Sequence, residues 1–228
     1  MSLGHGASIV RSGLVLHLDA ANRKSYSGAG TSWNDISGSG NNGTLVNGVQ
    51  YSTSNKGTMT FDGVNDYVSA GNLGSFFTQG TISYWMNSSA VENYRNPVST
   101  HYLGLNQGIR FEQSSAGTLL AVIGNISNQW IAHSYTTDSI ITANTWYNVV
   151  LIWNTSTNNV VGYLNNIQKF NASQTFWATT LPSVSIGSGF DASRYFAGKI
   201  SNTAIYNRAL TPLEIRQNFN ATRSRYGI

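Results

Sequence analysis

Short runs of β-branched and aromatic residues, separated by clusters of Gly, Asn and Ser, follow one another along almost the whole chain. Strands with this spacing and punctuation are typical of an all-β sandwich or barrel. The pattern predicts strands at residues 14–18, 44–50, 58–62, 66–70, 81–87, 109–113, 119–123, 130–135, 146–153, 160–164, 184–186 and 199–206. The fold class is therefore predicted to be all-β.

Two of these segments indicate how the sheets are buried. Residues 146–153 are almost continuously apolar, which is typical of a central strand covered on both faces. Residues 81–87 alternate instead, with Ile82, Tyr84 and Met86 on one face. The alternation predicts that these three side chains point into the core.

One short helix is predicted at the C-terminal end, over residues 212–220. Thr211 and Glu214 have the spacing of a capping box, and Pro212 occupies the first helical position between them. The chain is therefore expected to close with a single helix.

The composition excludes several classes of protein. Cysteine is absent from the 228 residues, so the chain has no disulfide, no thiol nucleophile and no cysteine-based metal site. The longest apolar run is residues 149–153, far below the roughly 20 residues of a membrane span, so membrane insertion is not expected. Residues 1–12 lack the apolar core of a signal peptide and are expected to be a tail or tag. Residues 13–228 are predicted to form one domain.

The net charge of +4 raises the question of an anionic partner. The last 21 residues contain four arginines but one acidic residue, Glu214. The arginines are Arg208, Arg216, Arg223 and Arg225. This pattern indicates either a solvated terminal helix or a contact with an acidic polymer. Because no Lys/Arg run is interleaved with aromatic residues, a nucleic-acid partner is disfavoured.

The chain offers little for catalysis. A glycosidase uses two carboxylates that flank the scissile bond, and only nine carboxylates are present. Glu112 is the best candidate acid, but no partner lies two or four residues away from it. The four histidines are isolated, and no Gly-x-Ser-x-Gly elbow occurs. These observations favour a protein that is not an enzyme, although carboxylates distant in sequence could still form a pair.

A turn at residues 62–66 is the candidate metal site. Ca²⁺ prefers six to eight oxygen ligands, and Asp62, Asn65 and Asp66 bring several together in one tight turn. The same residue types also favour an ordinary hairpin turn for backbone reasons. No cofactor is required by the sequence, and a structural Ca²⁺ at this turn is the alternative that stays open.

Aromatic residues next to amide and charged side chains, in segments between strands, are the candidate ligand site. Aromatic rings stack on sugar faces, while Asn, Asp, Gln and Arg bind hydroxyl groups. Segments 92–102, 125–130 and 171–177 have this mixture. The candidate ligand-binding residues are Tyr94, Arg95, Tyr102, Trp130 and Trp177. The tryptophans at positions 33, 85, 146 and 153 are instead expected to pack in the core.

Segments 33–44, 61–68, 81–85 and 145–150, in this order, resemble the laminin-G-like branch of the concanavalin A-like lectin/glucanase superfamily. Residues 198–211 with Glu214 and Ile215 are similar to that family's closing strand and cap. The resemblance covers residues 14–219 and implies a jelly-roll sandwich of two antiparallel sheets. Many relatives carry Asp where this chain has Asn202, which weakens any cation site that uses that position.

Residues 13–22 and 219–228 are similar to virion-associated proteins of marine tailed phages. This resemblance implies synthesis in a cytoplasm without a signal peptide, followed by a virion or extracellular location. The expected function is a non-catalytic carbohydrate-binding or adhesion module of a phage structural protein, with host-surface glycan as partner. Two alternatives stay open: a virion decoration protein that binds other virion proteins but no glycan, and a glucanase-like glycoside hydrolase.

Overall fold

The structure is a computed structural model that describes residues 8–71, 73, 78–101, 108–114, 116–125, 127–136, 141–175, 183–189 and 194–228. Two antiparallel sheets of eight strands each pack against one another, and one short α-helix follows the last strand. The predicted all-β architecture, a two-sheet antiparallel jelly-roll sandwich with one short C-terminal helix, is confirmed.

Sixteen strands occur in the described part of the chain. They are β1 (Leu14–Asp19), β2 (Ser32–Trp33), β3 (Gly43–Val46), β4 (Gln50–Ser52), β5 (Thr58–Asp62), β6 (Tyr67–Ala70), β7 (Gln79–Ser88), β8 (Val98–His101), β9 (Gly108–Gln113), β10 (Leu119–Gly124), β11 (Trp130–Ser134), β12 (Trp146–Asn154), β13 (Asn159–Leu164), β14 (Ile167–Ser173), β15 (Val184–Ile186) and β16 (Ala197–Tyr206). Sheet I has the order β14-β13-β12-β7-β16-β5-β4, with β1 also paired to β16. Sheet II has the order β11-β10-β9-β8-β15-β6-β3-β2.

Strand β16 pairs with three other strands of sheet I. It runs antiparallel to β7, while its other edge is divided between β5 and β1. The register with β7 shifts between Ile200 and Asn202, so Ser201 is the extra residue of a β-bulge. The Ser201 hydroxyl donates to the Gly57 carbonyl at 2.6 Å, and the Ser201 carbonyl accepts from the Ala20 N–H at 2.9 Å. The bulge is therefore held by hydrogen bonds to residues next to β5 and β1, on the edge of β16 opposite β7.

The main core lies between the two sheets. Ile82, Tyr84 and Met86 are fully buried there, as their alternation along β7 predicted. Trp33 and Trp153 lie in the same core, which confirms two of the four tryptophan predictions. Strand β12 is central, between β7 and β13, as its apolar run predicted.

Helix α1 (Pro212–Thr222) begins with the predicted capping box. The Thr211 Oγ1 accepts from the Glu214 N–H at 3.3 Å, and the Glu214 Oε2 accepts from the Thr211 N–H at 2.9 Å. Arg208 adds a bidentate ion pair, with Nη1 and Nη2 donating to the Glu214 carboxylate at 2.9 and 2.6 Å. The start of the helix is thus fixed by residues on both sides of it. Within the described residues, none of the helices has the length and apolar character that a bilayer span requires.

The C-terminal segment covers the outer face of sheet I. The Trp85 ring stacks on Tyr226 with centroids 4.0 Å apart and on Phe219 with centroids 5.6 Å apart. Its Nε1–H donates to the Thr222 hydroxyl at 2.9 Å, and Trp146 packs against Tyr226 at 4.7 Å. Trp85 and Trp146 are therefore buried as predicted, but under the helix rather than between the sheets.

Part of the strand prediction was wrong. Segment 44–50 does not form one strand, because Asn47 adopts a φ of 63° and the chain turns there from β3 in sheet II to β4 in sheet I. Strands β2, β8 and β14 were not predicted. The first is only two residues long, and β14 is mostly polar, so neither produces an alternating apolar pattern.

Some residues of the expected N-terminal tail pack on the domain. Val10 is buried, its N–H donates to the Asn218 Oδ1 at 2.8 Å, and its carbonyl accepts from the Tyr206 hydroxyl at 3.0 Å. Residues 1–7 lie outside the described part of the chain. The packed region therefore starts before residue 13, the boundary that the sequence predicted.

The capping ion pair predicts a pH-dependent contribution to stability. The hydrogen bonds from Arg208 lower the pKa of Glu214 from 4.5 to about 2. Stability from this group is therefore complete above the unfolded pKa and is lost as the pH falls from 4.5 towards 2. We expect Glu214→Gln to reduce the free energy of unfolding by about 1–2 kcal/mol at pH 7 and by roughly half as much at pH 3.

The measurement is urea unfolding of both proteins at the two pH values. Glu92→Gln serves as the control, because Glu92 also pairs with an arginine but its side chain is 48% exposed. That variant should change stability by less than about 0.5 kcal/mol. An equal loss for Glu214→Gln at pH 7 and pH 3 would contradict the prediction.

Candidate functional site

Strand β9 places two charged side chains, Arg110 and Glu112, on the outer face of sheet II. Ile109 and Phe111 alternate with them and are buried in the core between the sheets. No described helix covers this outer face, in contrast to sheet I. The charged pair is therefore positioned on the open side of the sandwich.

Arg110 extends across β10 towards the edge strand β11. Its guanidinium carbon lies 4.3 Å from the ring centroid of Trp130, well within the range of a cation–π contact. Trp130 is paired with Gly124, which has no side chain to separate the ring from the guanidinium. The Arg110 Nε also donates to the Glu112 Oε2 at 3.2 Å.

Glu112 connects this pair to a second aromatic residue. The Arg194 Nη1 donates to the same Glu112 Oε2 at 2.8 Å, and the Arg194 guanidinium carbon lies 5.2 Å from the ring centroid of Tyr94. These five side chains, Tyr94, Arg194, Glu112, Arg110 and Trp130, form a continuous series that we call the aromatic–arginine strip. One carboxylate therefore links two arginines, each of which lies over an aromatic ring.

The backbone of the strip is strained at its Tyr94 end. Tyr94 and Arg194 have φ values of 59° and 57°, in the left-handed region. Ten described non-glycine residues have positive φ; seven are Asn, which tolerates it, and Lys56 is the remaining one. The Tyr94 N–H donates to the Gln113 carbonyl at 2.8 Å, and the Arg194 carbonyl accepts from the Asn96 N–H at 2.9 Å. Such strain costs about 1–3 kcal/mol, and it clusters at binding sites.

The strip contains two of the five residues that the sequence singled out as ligand-binding, Tyr94 and Trp130. Arg95 lies beside the strip but pairs with Glu92, and its Nη1 donates to the carbonyls of Gly63 and Tyr195 at 3.3 and 3.2 Å. Arg95 therefore connects its own segment to the turn at Gly63 and to the segment that contains Tyr195. Tyr102 and Trp177, the other two predicted residues, lie outside the described residues.

Arg110 and Arg194 were not among the predicted ligand-binding residues. The alternation of residues 109–113 could have revealed Arg110, because it places that side chain and Glu112 on the polar face of a strand. No sequence signal points to Arg194, because its ion pair joins residues 82 positions apart. Sequence analysis therefore found the rings of the strip but missed its cations.

The turn at residues 62–66 is closed by its own carboxylates. The Asp62 Oδ1 accepts from the N–H groups of Val64 and Asn65 at 2.8 and 3.2 Å, and the bond from Val64 lowers the pKa of Asp62. The Asp66 carboxylate accepts from the N–H groups of Gly48 and Asp62 at 2.6 and 3.1 Å. Among the described residues, no three His, Cys, Asp or Glu side chains form a metal-binding group. Calcium binding by Asp62, Asn65 and Asp66 stays a prediction.

The C-terminal arginines do not form one cationic surface. Arg208 pairs with Glu214, and Arg225 pairs with Asp19 at 2.8 Å. The Arg223 guanidinium lies 5.9 Å from the Phe219 ring centroid. Three of the four arginines therefore contact partners within the domain, which favours a solvated terminal helix over a contact with an acidic polymer.

A family model described as the concanavalin A-like lectin/glucanases superfamily matches residues 61–216 of the chain. This match covers more than half of the 228 residues and agrees with the first resemblance of the sequence. No curated protein matches the chain.

Several solved structures are similar in fold. The binding domain of Paraclostridial Mosquitocidal Protein 1 aligns with a TM-score of 0.72 at 18% identity, over 92% of this chain and 52% of that one. The ligand binding domain of botulinum neurotoxin serotype D, in complex with N-acetylneuraminic acid, has a TM-score of 0.72 at 14% identity, over 92% and 51%. The chain thus spans about half the length of these toxin domains.

A third structure matches over nearly its full length. Domain 4 of AbnA, a GH43 extracellular arabinanase from Geobacillus stearothermophilus, in complex with arabinotriose, has a TM-score of 0.71 at 18% identity. The alignment covers 91% of this chain and 98% of that domain. At these identities, the likeness shows a shared fold.

The hydrogen bonds of the 62–66 turn predict that folding does not require calcium. We expect the melting temperature in a calcium chelator to stay within about 1 °C of the value in buffer alone, because the carboxylates already accept backbone N–H groups. A calcium ion bound at one hundred times its Kd would instead stabilise the protein by about 2.7 kcal/mol, a shift of several degrees. A rise of this size in the melting temperature when calcium is added, abolished by Asp62→Asn, would establish the calcium site.

Proposed function

The chain belongs to the concanavalin A-like lectin/glucanases superfamily, and we propose that it is a non-catalytic carbohydrate-binding module whose site is the aromatic–arginine strip. The contact between Tyr94 and Arg194 carries this proposal. Both residues adopt a strained backbone, and Tyr94 is nevertheless 59% exposed. An exposed ring held in this way is expected where a ligand, rather than the protein core, uses it.

The strip has the chemistry that a sugar ring needs. Aromatic rings offer an apolar surface for the C–H groups of a sugar, and the arginines and Glu112 offer donors and acceptors for its hydroxyl groups. Glu112 is only 7% exposed and bonds both guanidinium groups, which orders them before a ligand arrives. This order lowers the conformational entropy cost of binding. Two structural neighbours are complexes with N-acetylneuraminic acid and arabinotriose, which also supports a glycan ligand.

The proposed absence of catalysis rests on the bonding of the carboxylates. Glycoside hydrolysis needs a pair of carboxyl groups on either side of the scissile bond. Glu112 is held by two arginines. The other described carboxylates each accept hydrogen bonds from an arginine or from backbone N–H groups; they are Asp19, Asp35, Asp62, Asp66, Glu92 and Glu214. This bonding suits structural roles rather than proton transfer.

We also propose that the module is part of a phage particle and contacts glycan on the host surface. Its support is the similarity of residues 13–22 and 219–228 to virion-associated proteins, together with the absence of cysteine. Many copies on one particle would convert a weak individual affinity into strong attachment. A decoration protein that binds only virion partners is the alternative if no glycan is found.

The glycan proposal predicts the effect of removing each ring of the strip. On an array of bacterial and algal surface glycans, we expect a selective signal that Trp130→Ala and Tyr94→Ala each weaken by about tenfold or more. Ile167→Ala is the matched control, because Ile167 is also exposed, at 62%, but lies on β14 of sheet I. An empty array with folded protein, or equal weakening by all three variants, would contradict the site.

The non-catalytic proposal is tested with the same glycans. Incubation of the protein with any glycan that it binds should release no reducing ends above the buffer background. Glu112→Gln should weaken binding, because it loosens both arginines, but should change no hydrolysis rate. If the original protein hydrolyses a glycan and Glu112→Gln abolishes this activity, the protein is a glycoside hydrolase and the proposal is wrong.

A further inference from the structure

A polar groove lies at the edge of sheet I, on the opposite face of the sandwich from the strip. A hollow of about 160 Å³ is lined by residues from the N-terminal segment, β1, β16 and the C-terminal segment, among them Arg11, His17, Asn202 and Arg225. A second hollow of about 450 Å³, lined in part by Lys24, shares Arg11, Asn22 and Ile36 with the first. The two hollows are therefore adjacent, and we refer to them together as the groove.

Buried polar groups form the floor of the groove. His17 and Asn202 are less than one tenth exposed, and the Asn202 Nδ2 lies 3.0 Å from the His17 Nε2, within hydrogen-bond distance. Burial lowers the pKa of His17, so the imidazole is neutral at pH 7. The floor thus contains a neutral imidazole next to an amide side chain.

The two acidic residues of the groove have their oxygen atoms occupied. Asp19 accepts from Arg225 through both oxygens, at 2.8 and 2.9 Å. Asp35 accepts from the backbone N–H groups of His17 and Ser37 at Oδ1, and from the Ser37 hydroxyl and the Asn41 N–H at Oδ2. Asp19 is therefore paired with Arg225, whereas Asp35 keeps its negative charge and its oxygens are held by neutral donors.

Two cations at the rim of the groove, in contrast to Asp19, lack a charged partner among the described residues. Arg11 and Lys24 are exposed, and neither forms an ion pair with any residue that the structure describes. With Arg225, the groove holds three cations and two carboxylates. It therefore has a surplus of one positive charge.

We propose that this groove binds a small oxyanion, namely a phosphate, sulfate or carboxylate group, between Arg11 and Lys24. Such a group would accept hydrogen bonds from both cations and balance the surplus positive charge of the groove, and charge-assisted hydrogen bonds of this kind are the strong ones. The site is separate from the aromatic–arginine strip, so it does not depend on the proposed glycan function.

The test is calorimetric titration of the whole chain at pH 7.5 and constant ionic strength. Inorganic phosphate, inorganic sulfate and glucuronate are titrated separately, with chloride as the reference anion. We expect saturable one-to-one binding of at least one oxyanion, weakened about tenfold by Arg11→Gln and by Lys24→Gln. Binding of phosphate or sulfate points to an inorganic or phosphoryl ligand, whereas binding of glucuronate alone points to an acidic sugar.

Arg23→Gln is the matched control, because Arg23 is an exposed neighbour that does not line the groove and donates instead to the Ser27 carbonyl. It should leave the affinity unchanged. The proposal is overturned if all three anions behave like chloride. It is also overturned if the three variants lose affinity equally, which would indicate a general charge effect rather than a site.

Discussion

The β-bulge at Ser201 is the constraint on which much of the sandwich depends. Before it, Ile200 points into the core; after it, Ile205 does so, five residues later. An uninterrupted strand would instead turn residues 202, 204 and 206 inward. Because of the extra residue, Ala204 and Tyr206 face outward and pack with the C-terminal helix. One inserted position therefore fixes both the inner core and the surface on which the helix lies.

The two outer faces of the sandwich consequently differ. On sheet I, the rings of Trp85, Phe219 and Tyr226 replace solvent with aromatic contacts, and the helix start is fixed by its cap and ion pair. On sheet II, the described outer face carries charged and aromatic side chains that a core would not accept. Two residues of this face, Tyr94 and Arg194, keep a strained backbone conformation that lowers the stability of the fold.

The sequence predicted the fold far better than the site. Strands with alternating or continuous apolar residues were found because burial imposes its period on the sequence, as in 81–87 and 146–153. The short β2 and the polar β14 lack that period and were missed. For the site, Tyr94 and Trp130 were found because aromatic residues between strands are conspicuous. Arg194 was not, because its position follows from a tertiary contact with a strand 82 residues earlier.

The C-terminal helix and Val10 lie on the same outer face, that of sheet I, and they contact each other through Asn218. The aromatic–arginine strip lies on the opposite face. Any scaffold that holds the domain through its helix side would therefore turn the strip towards the surrounding medium. Neighbouring copies mounted in this way would present their strips in parallel.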